Sequence, residues 1–190
     1  MIHPDAIAFD IDGVIADTMN LFIHIAKTEF NISNIDYNEI TDYDLSKCLD
    51  IEFKTIWDII EIILSGKKDV HLKPIDGAKN FFHKLEAKTK KILLVTARPD
   101  DESIKSWIFK NIQIDPSKLK LIATGDFKEK AKILLKHKIT HFVEDRLGTC
   151  YLLQEQGISP IIFSQPWNNK KHPFTKVNSW DELEKLIDLK

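Results

Sequence analysis

Two aspartates, two positions apart at the end of an apolar run, set the chemistry to be explained. In "AIAFDIDGVIADT", residues 6–18, Asp10 and Asp12 close a segment that reads as a buried strand, and Gly13 follows. Clustered carboxylates repel, and withdrawing them from water is costly unless a cation compensates. Other chemistry-bearing residues also stand at the ends of apolar runs. "KILLVTA" closes near Thr96, with Arg98 just beyond, and "THFVED" closes on Glu144 and Asp145, with Arg146 next. Lys130 stands in the first turn of the helical pattern that leads into "THFVED". Asp10, Asp12 and Asp145 together would make a hard, oxygen-rich site. Such a site suits Mg²⁺, which keeps several waters and takes one or two carboxylates plus substrate phosphate. A carboxylate can also attack phosphorus, while a second one protonates the leaving oxygen and later activates water. Asp10 and Asp12 therefore have two separable tasks open to them.

The elements that must position these residues are legible as short apolar runs separated by helical patterns. Residues 7–11, 91–97, 119–124, 140–145 and 159–164 read as strands without alternation, as expected of a parallel sheet covered on both faces. Residues 77–88, 101–110, 128–137 and 147–156 read as helices. Asp76 is a candidate cap for the first of them, and Gly157 a candidate stop for the last. Alternation of strand and helix predicts a doubly wound, Rossmann-like α/β sheet. In such sheets the ligand site lies beyond the carboxyl ends of the strands. Strand alternation would send Asp10 and Asp12 to the same side. One interval breaks the rhythm. Between residues 17 and 73 no strand is legible, but two helical stretches are, "MNLFIHIAKTEF" and "EFKTIWDIIEIIL". Ile56, Ile59, Ile60 and Ile63 share one face of the second, with Trp57 and Leu64 widening it. The expectation is a core of residues 1–16 and 74–190, with a small helical cap over 17–73 inserted after the first strand. The tail "SWDELEKLIDLK" reads as a terminal helix capped by Ser179.

Composition narrows the partners. The 190 residues are 43% hydrophobic and 29% charged, enough for a core of ordinary size. A formal net charge of −2 leaves no basic field for duplex nucleic acid. The two cysteines, Cys48 and Cys150, lie far apart in no metal-binding spacing. No apolar run approaches a membrane span, and "MIHPD" carries no leader pattern, so the expected home is the cytoplasm. A monomer and a homodimer both fit.

"FDIDGVIAD", "LLVTAR", Lys130 and "HFVEDR" resemble, in order, the four motifs of the haloacid dehalogenase superfamily. The resemblance implies Asp10 as nucleophile and Asp12 as general acid/base. It implies Thr96 and Lys130 on the phosphoryl group and Asp145 on Mg²⁺, and a backbone carbonyl at Asp12 as a further ligand. An acid at position 12 favours the phosphatase branch, and the insertion resembles the helical cap of many members. Glu144 departs from the commonest acidic pair and is read as a neighbour of the metal site. A closer likeness is to the 5′-deoxyribonucleotidase-like branch. It rests on the opening motif, the place of the cap, the Arg after the acidic pair and the "FSQPWN" stretch, residues 163–168.

Blander readings stand beside these. Asp before Gly is common in turns, Thr96 could merely close a strand, and Lys130 competes with Lys128 and Lys132 on the same helix. Arg98 could hold phosphate, and Arg146 could touch substrate; either could instead form a structural ion pair. Phe22, Phe53, Trp57 and Trp167 could stack on a base or simply pack. The expected activity is a Mg²⁺-dependent phosphomonoesterase working through an aspartyl-phosphate, with a (deoxy)nucleoside monophosphate as substrate. The alternatives are a phosphatase for another small metabolite or a polynucleotide end, and a non-catalytic metal- or phosphate-binding module.

Overall fold

The computed structural model describes residues 1–69 and 71–189; residues 70 and 190 of the expected cap and core ranges lie outside it. In chain order its elements are β1 (Ile7–Phe9), α1 (Thr18–Phe30), α2 (Phe53–Leu64), α3 (Ala78–Glu86) and β2 (Ile92–Thr96). There follow α4 (Glu102–Asn111), β3 (Leu119–Ala123), α5 (Lys130–Lys136), β4 (His141–Glu144) and α6 (Leu147–Glu155). The last elements are β5 (Ser159–Phe163), β6 (Thr175–Val177) and α7 (Trp180–Glu184).

The strands form one six-stranded sheet in the order β3-β2-β1-β4-β5-β6, and every pairing is parallel. The missing alternation of the apolar runs has its expected cause, since both faces are covered. Phe9, Leu94 and Val143 pack with Phe81, Phe82 and Trp180 from α3 and α7 on one face. Ala8, Leu93, Val95 and Phe142 pack with Leu134 and Leu153 from α5 and α6 on the other. Residues of opposite strand parity thus feed two separate cores. β1 lies inside the sheet, where the strand order reverses direction, and there the carboxyl ends open a crevice.

Three local readings are corrected. β6 was not legible: of its residues only Val177 is buried, so "TKV" carries too little apolar signal. Asp76 does not cap α3. Gly77 takes that place with φ 87°, and no side chain bonds to the helix end. β1 ends at Phe9, so strand alternation does not orient Asp12. Residues 11–16 form a tight turn in which the Ile15 and Ala16 amides donate to Ile11 O at 2.8 and 2.9 Å.

The region between β1 and α3 is helical as expected. Asp17 caps α1, accepting from the Asn20 amide, and α1 packs on α2. The chain enters and leaves this helical stretch at one place. Ala16 bridges Pro74, and Asp17 N donates to Lys73 O at 2.9 Å. Ile56, Ile59 and Ile63 are buried, whereas Trp57 is 49% exposed and stands outside the packed stripe. No helix among the described residues is long and apolar enough to cross a membrane.

Candidate active site

Four segments far apart in sequence deliver side chains to one crevice. Asp10 follows β1, Thr96 ends β2, Lys130 begins α5, and Asp145 follows β4. Lys130 is wholly buried, and its Nζ lies 2.7 Å from Asp10 Oδ2 and 2.9 Å from Glu144 Oε2. This selects Lys130 from its neighbours: Lys132 pairs with Glu129 at the exposed surface, at 3.8 Å. Glu144 Oε1 also accepts from the Asp145 and Arg146 amides, each at 3.1 Å.

Oxygens of Asp10, Glu144 and Asp145 approach within 4.8 Å of one another, all three residues being buried. One lysine cannot ionise three such carboxylates. Burial pushes Asp10 and Asp145 well above the usual carboxylate range, and the Glu144 charge pushes both further. Burial acts on Glu144 as well, but Lys130 and the hydrogen bonds outweigh it and hold its pKa low. Lys130 is raised: burial pulls it down, and Asp10 and Glu144 more than reverse this. The surplus of buried oxygen ligands over positive charge fits a hard divalent cation.

The Asp12 carboxylate does not join that cluster. Arg98 grips it with two bonds, Nε to Oδ2 at 3.0 Å and Nη2 to Oδ1 at 2.8 Å. Thr18 Oγ1 donates to Oδ1 at 2.6 Å. Burial would raise Asp12, but Arg98 and then Thr18 outweigh it and leave its pKa lowered. Thr96 Oγ1 lies 3.4 Å from Asp12 Oδ2 and accepts from the Arg98 amide at 3.2 Å. Arg98 Nη1 is buried and finds no acceptor among the described residues. It is a donor left over on the crevice wall.

Gly13 must be a glycine. Its φ is +72°, and a Cβ there would overlap Asp145 Oδ2. A cavity of about 590 Å³ opens above these groups. Asp10, Asp12, Thr96, Arg98 and Asp145 make its polar floor; Phe22, Tyr43, Phe53, Ile56, Trp57 and Phe127 are among the apolar side chains around it.

Of the substrate-contact candidates, Phe22 and Trp167 both line this cavity yet are otherwise buried. The Trp167 indole N–H donates to Asp145 Oδ2 at 2.9 Å. Arg146 does not line it; its guanidinium lies 4.1 Å from the Phe127 ring centre and 5.0 Å from that of Tyr43. Sequence reasoning missed Thr18, Tyr43 and Phe127 as neighbours of the site. A hydroxyl at the start of a helix carries no signal for a contact with Asp12, and neither aromatic lies in a motif. Gln165 and Asn168 were visible only as part of "FSQPWN".

The family model described as "5′ nucleotidase, deoxy (Pyrimidine), cytosolic type C protein" matches residues 4–190. The chain is 29% identical over 181 residues to the Bacillus subtilis protein named "Putative nucleotidase YqfW", covering 93% of this chain and 90% of that one. The Halalkalibacterium halodurans protein named "Putative nucleotidase BH1399" is 25% identical over 186 residues, covering 94% of this chain and 90% of that one. In fold the chain is similar to a haloacid dehalogenase-like hydrolase of Streptococcus pneumoniae. The TM-score is 0.64 at 14% identity, over 98% of both chains.

Proposed function

This chain belongs to the cytosolic type C 5′-nucleotidase family, a nucleotidase branch of the haloacid dehalogenase-type phosphatases, and we propose that it is a Mg²⁺-dependent phosphomonoesterase for (deoxy)nucleoside monophosphates. The observation that carries the reading is the buried Asp10–Lys130–Glu144 array beside Asp145 at the floor of an apolar-walled cavity. We read residues 17–73 as a cap over a core of 1–16 and 74–190, because the chain leaves and returns through the adjacent Ala16 and Pro74. The two free cysteines, Cys48 and Cys150, suit a reducing cytoplasm.

In the proposed mechanism the Asp10 carboxylate attacks phosphorus in line as the bond to the leaving oxygen breaks. Asp12 gives that oxygen a proton. Water then attacks phosphorus, Asp12 takes up its proton, and Asp10 departs as a carboxylate, releasing inorganic phosphate. Thr96 and Lys130 steady the phosphoryl oxygens, and the unpartnered Arg98 Nη1 is a further donor for them. Asp10 and Asp145 are the side chains that would hold Mg²⁺. When bound, it supplies the positive charge that favours an ionised Asp10 and offsets charge on phosphate.

Without metal or substrate, the surroundings bias both carboxyls against the forms that the first step needs. Asp12 is held charged by Arg98, and Asp10 is pushed toward its neutral form. A phosphate entering beside Asp12 competes for Arg98 and adds negative charge, and both effects raise Asp12 toward the proton-bearing form. The leaving group faces aromatic and aliphatic walls, which favour a nucleobase over a bare sugar.

Phosphate release from a panel of nucleotides and sugar phosphates, with and without Mg²⁺, tests the reading. We expect turnover of nucleotides that requires the metal and falls to background in Asp10→Asn. Turnover that survives both metal removal and Asp10→Asn would overturn the mechanism. Preference for sugar phosphates over every nucleotide would overturn the substrate assignment alone.

A further inference from the structure

The stretch after β5 does more than enclose the site. Gln165, Trp167 and Asn168 lie in one tight turn, and each directs its side chain to a different part of the catalytic floor. Trp167 Nε1 donates to Asp145 Oδ2 at 2.9 Å. Asn168 Nδ2 donates to the backbone oxygen of the same Asp145 at 2.8 Å, and to Phe163 O at 2.8 Å. Its Oδ1 accepts from the Gln165 amide at 3.0 Å, which locks the turn on itself. Gln165 Nε2 donates to Gly13 O at 2.7 Å, fixing the turn just after Asp12. The other end of that amide faces the helical region, since Tyr37 Oη donates to Gln165 Oε1 at 2.7 Å.

We infer that the 165–168 turn is a positioning element for Mg²⁺ binding, with the Trp167 indole N–H setting the Asp145 carboxylate. It rests on the proposed metal reading above. Asp145 has two oxygens, and among the described residues only Trp167 donates to either of them. That bond occupies Oδ2 and leaves Oδ1 free of donors for a cation. A second partner that fixes a ligating carboxylate typically contributes about 10- to 100-fold to metal affinity. The ring itself is 4% exposed, packed against the Gly13 turn and edge-on to Tyr37 at 5.9 Å between centres. Trp167 is thus a positioning residue, acting through Asp145.

The test is calorimetric Mg²⁺ titration of the full chain and of Trp167→Phe without substrate, alongside kcat and KM at saturating Mg²⁺. The expected result is an Mg²⁺ Kd raised by about 10-fold or more, with KM little changed and kcat largely restored by excess metal. An unchanged Mg²⁺ Kd with raised KM would make Trp167 a substrate-stacking residue and overturn the inference. An unchanged Kd with unchanged KM would overturn it equally. Should Trp167→Phe unfold, a 3-benzothienylalanine at position 167 keeps the bicyclic shape and puts sulfur in place of N–H. It must show the same weakened Mg²⁺ binding. If the parent protein binds no Mg²⁺ while cleaving phosphate esters, the metal reading itself falls, and this inference with it.

Discussion

At the scale of single residues, the site is organised by which cation each carboxylate owns. Glu144 and Asp10 share Lys130, Asp12 owns Arg98, and among the described residues Asp145 has only an indole N–H. The Arg98–Asp12 pair therefore makes a stability prediction with a definite sign. Asp12 is lowered in the folded state, so its stabilising contribution is full above the unfolded value of about 3.9. It is lost as pH falls through the depressed folded value. Arg98→Met should cost roughly 2 kcal/mol at pH 7, less than the 3–5 of a fully buried pair, because the Asp12 side chain is 28% exposed. In urea unfolding the gap between Arg98→Met and its parent should shrink as pH drops below about 4. A gap that does not change with pH would place the loss in packing alone.

At the scale of elements, α2 presents two faces with different work. Ile59 is fully buried, while Trp57 and Phe53 stand on the cavity rim, 49% and 62% exposed and edge-on to each other. Ile59→Ala should destabilise by about 2–5 kcal/mol in chemical unfolding. Trp57→Ala should leave stability within about 0.5 kcal/mol. It should nonetheless raise KM for a nucleotide about fivefold, the low end of stacking on an exposed aromatic. The same helix shows where sequence reading works and where it stops. Spacing identified the isoleucine face, because burial repeats with the helix period. It also drew Trp57 onto that face, because periodicity registers an apolar side chain without saying whether protein or ligand covers it. The first five strands and the Asp10, Thr96 and Asp145 positions were legible for a related reason: each of these residues sits at the end of a buried apolar run. Lys130 was not separable from Lys128 and Lys132 by pattern, since helix spacing does not say which lysine is buried; only the resemblance favoured it. Thr18, Tyr37 and Tyr43 were not, since they meet the site only through tertiary contact. Asp12 was legible as chemistry but not as geometry, because a turn, and not the strand, sets where it points.

For the molecule as a whole, Lys130 gives the carboxylate cluster a counterion of its own. It is a covalently attached cation at the centre of the carboxylates, fixed by α5 and sealed between the sheet and Phe127. Chelation should therefore remove phosphatase activity while leaving the circular dichroism spectrum and cooperative thermal unfolding in place. Returning Mg²⁺ should raise the melting temperature, since a ligand of the native state stabilises it by mass action. Loss of secondary structure on chelation would show that Lys130 does not suffice. The narrow passage at Ala16 and Pro74 has a consequence of another kind. A segment that leaves and rejoins a sheet through two bridged neighbours can be exchanged as a cassette. On the proposed cap reading, a different segment grafted at that junction should bring new substrate preferences to unaltered chemistry, on two conditions. It must continue the apolar layer that now runs from α1 and α2 into the sheet, and it must offer a hydroxyl where Tyr37 meets Gln165.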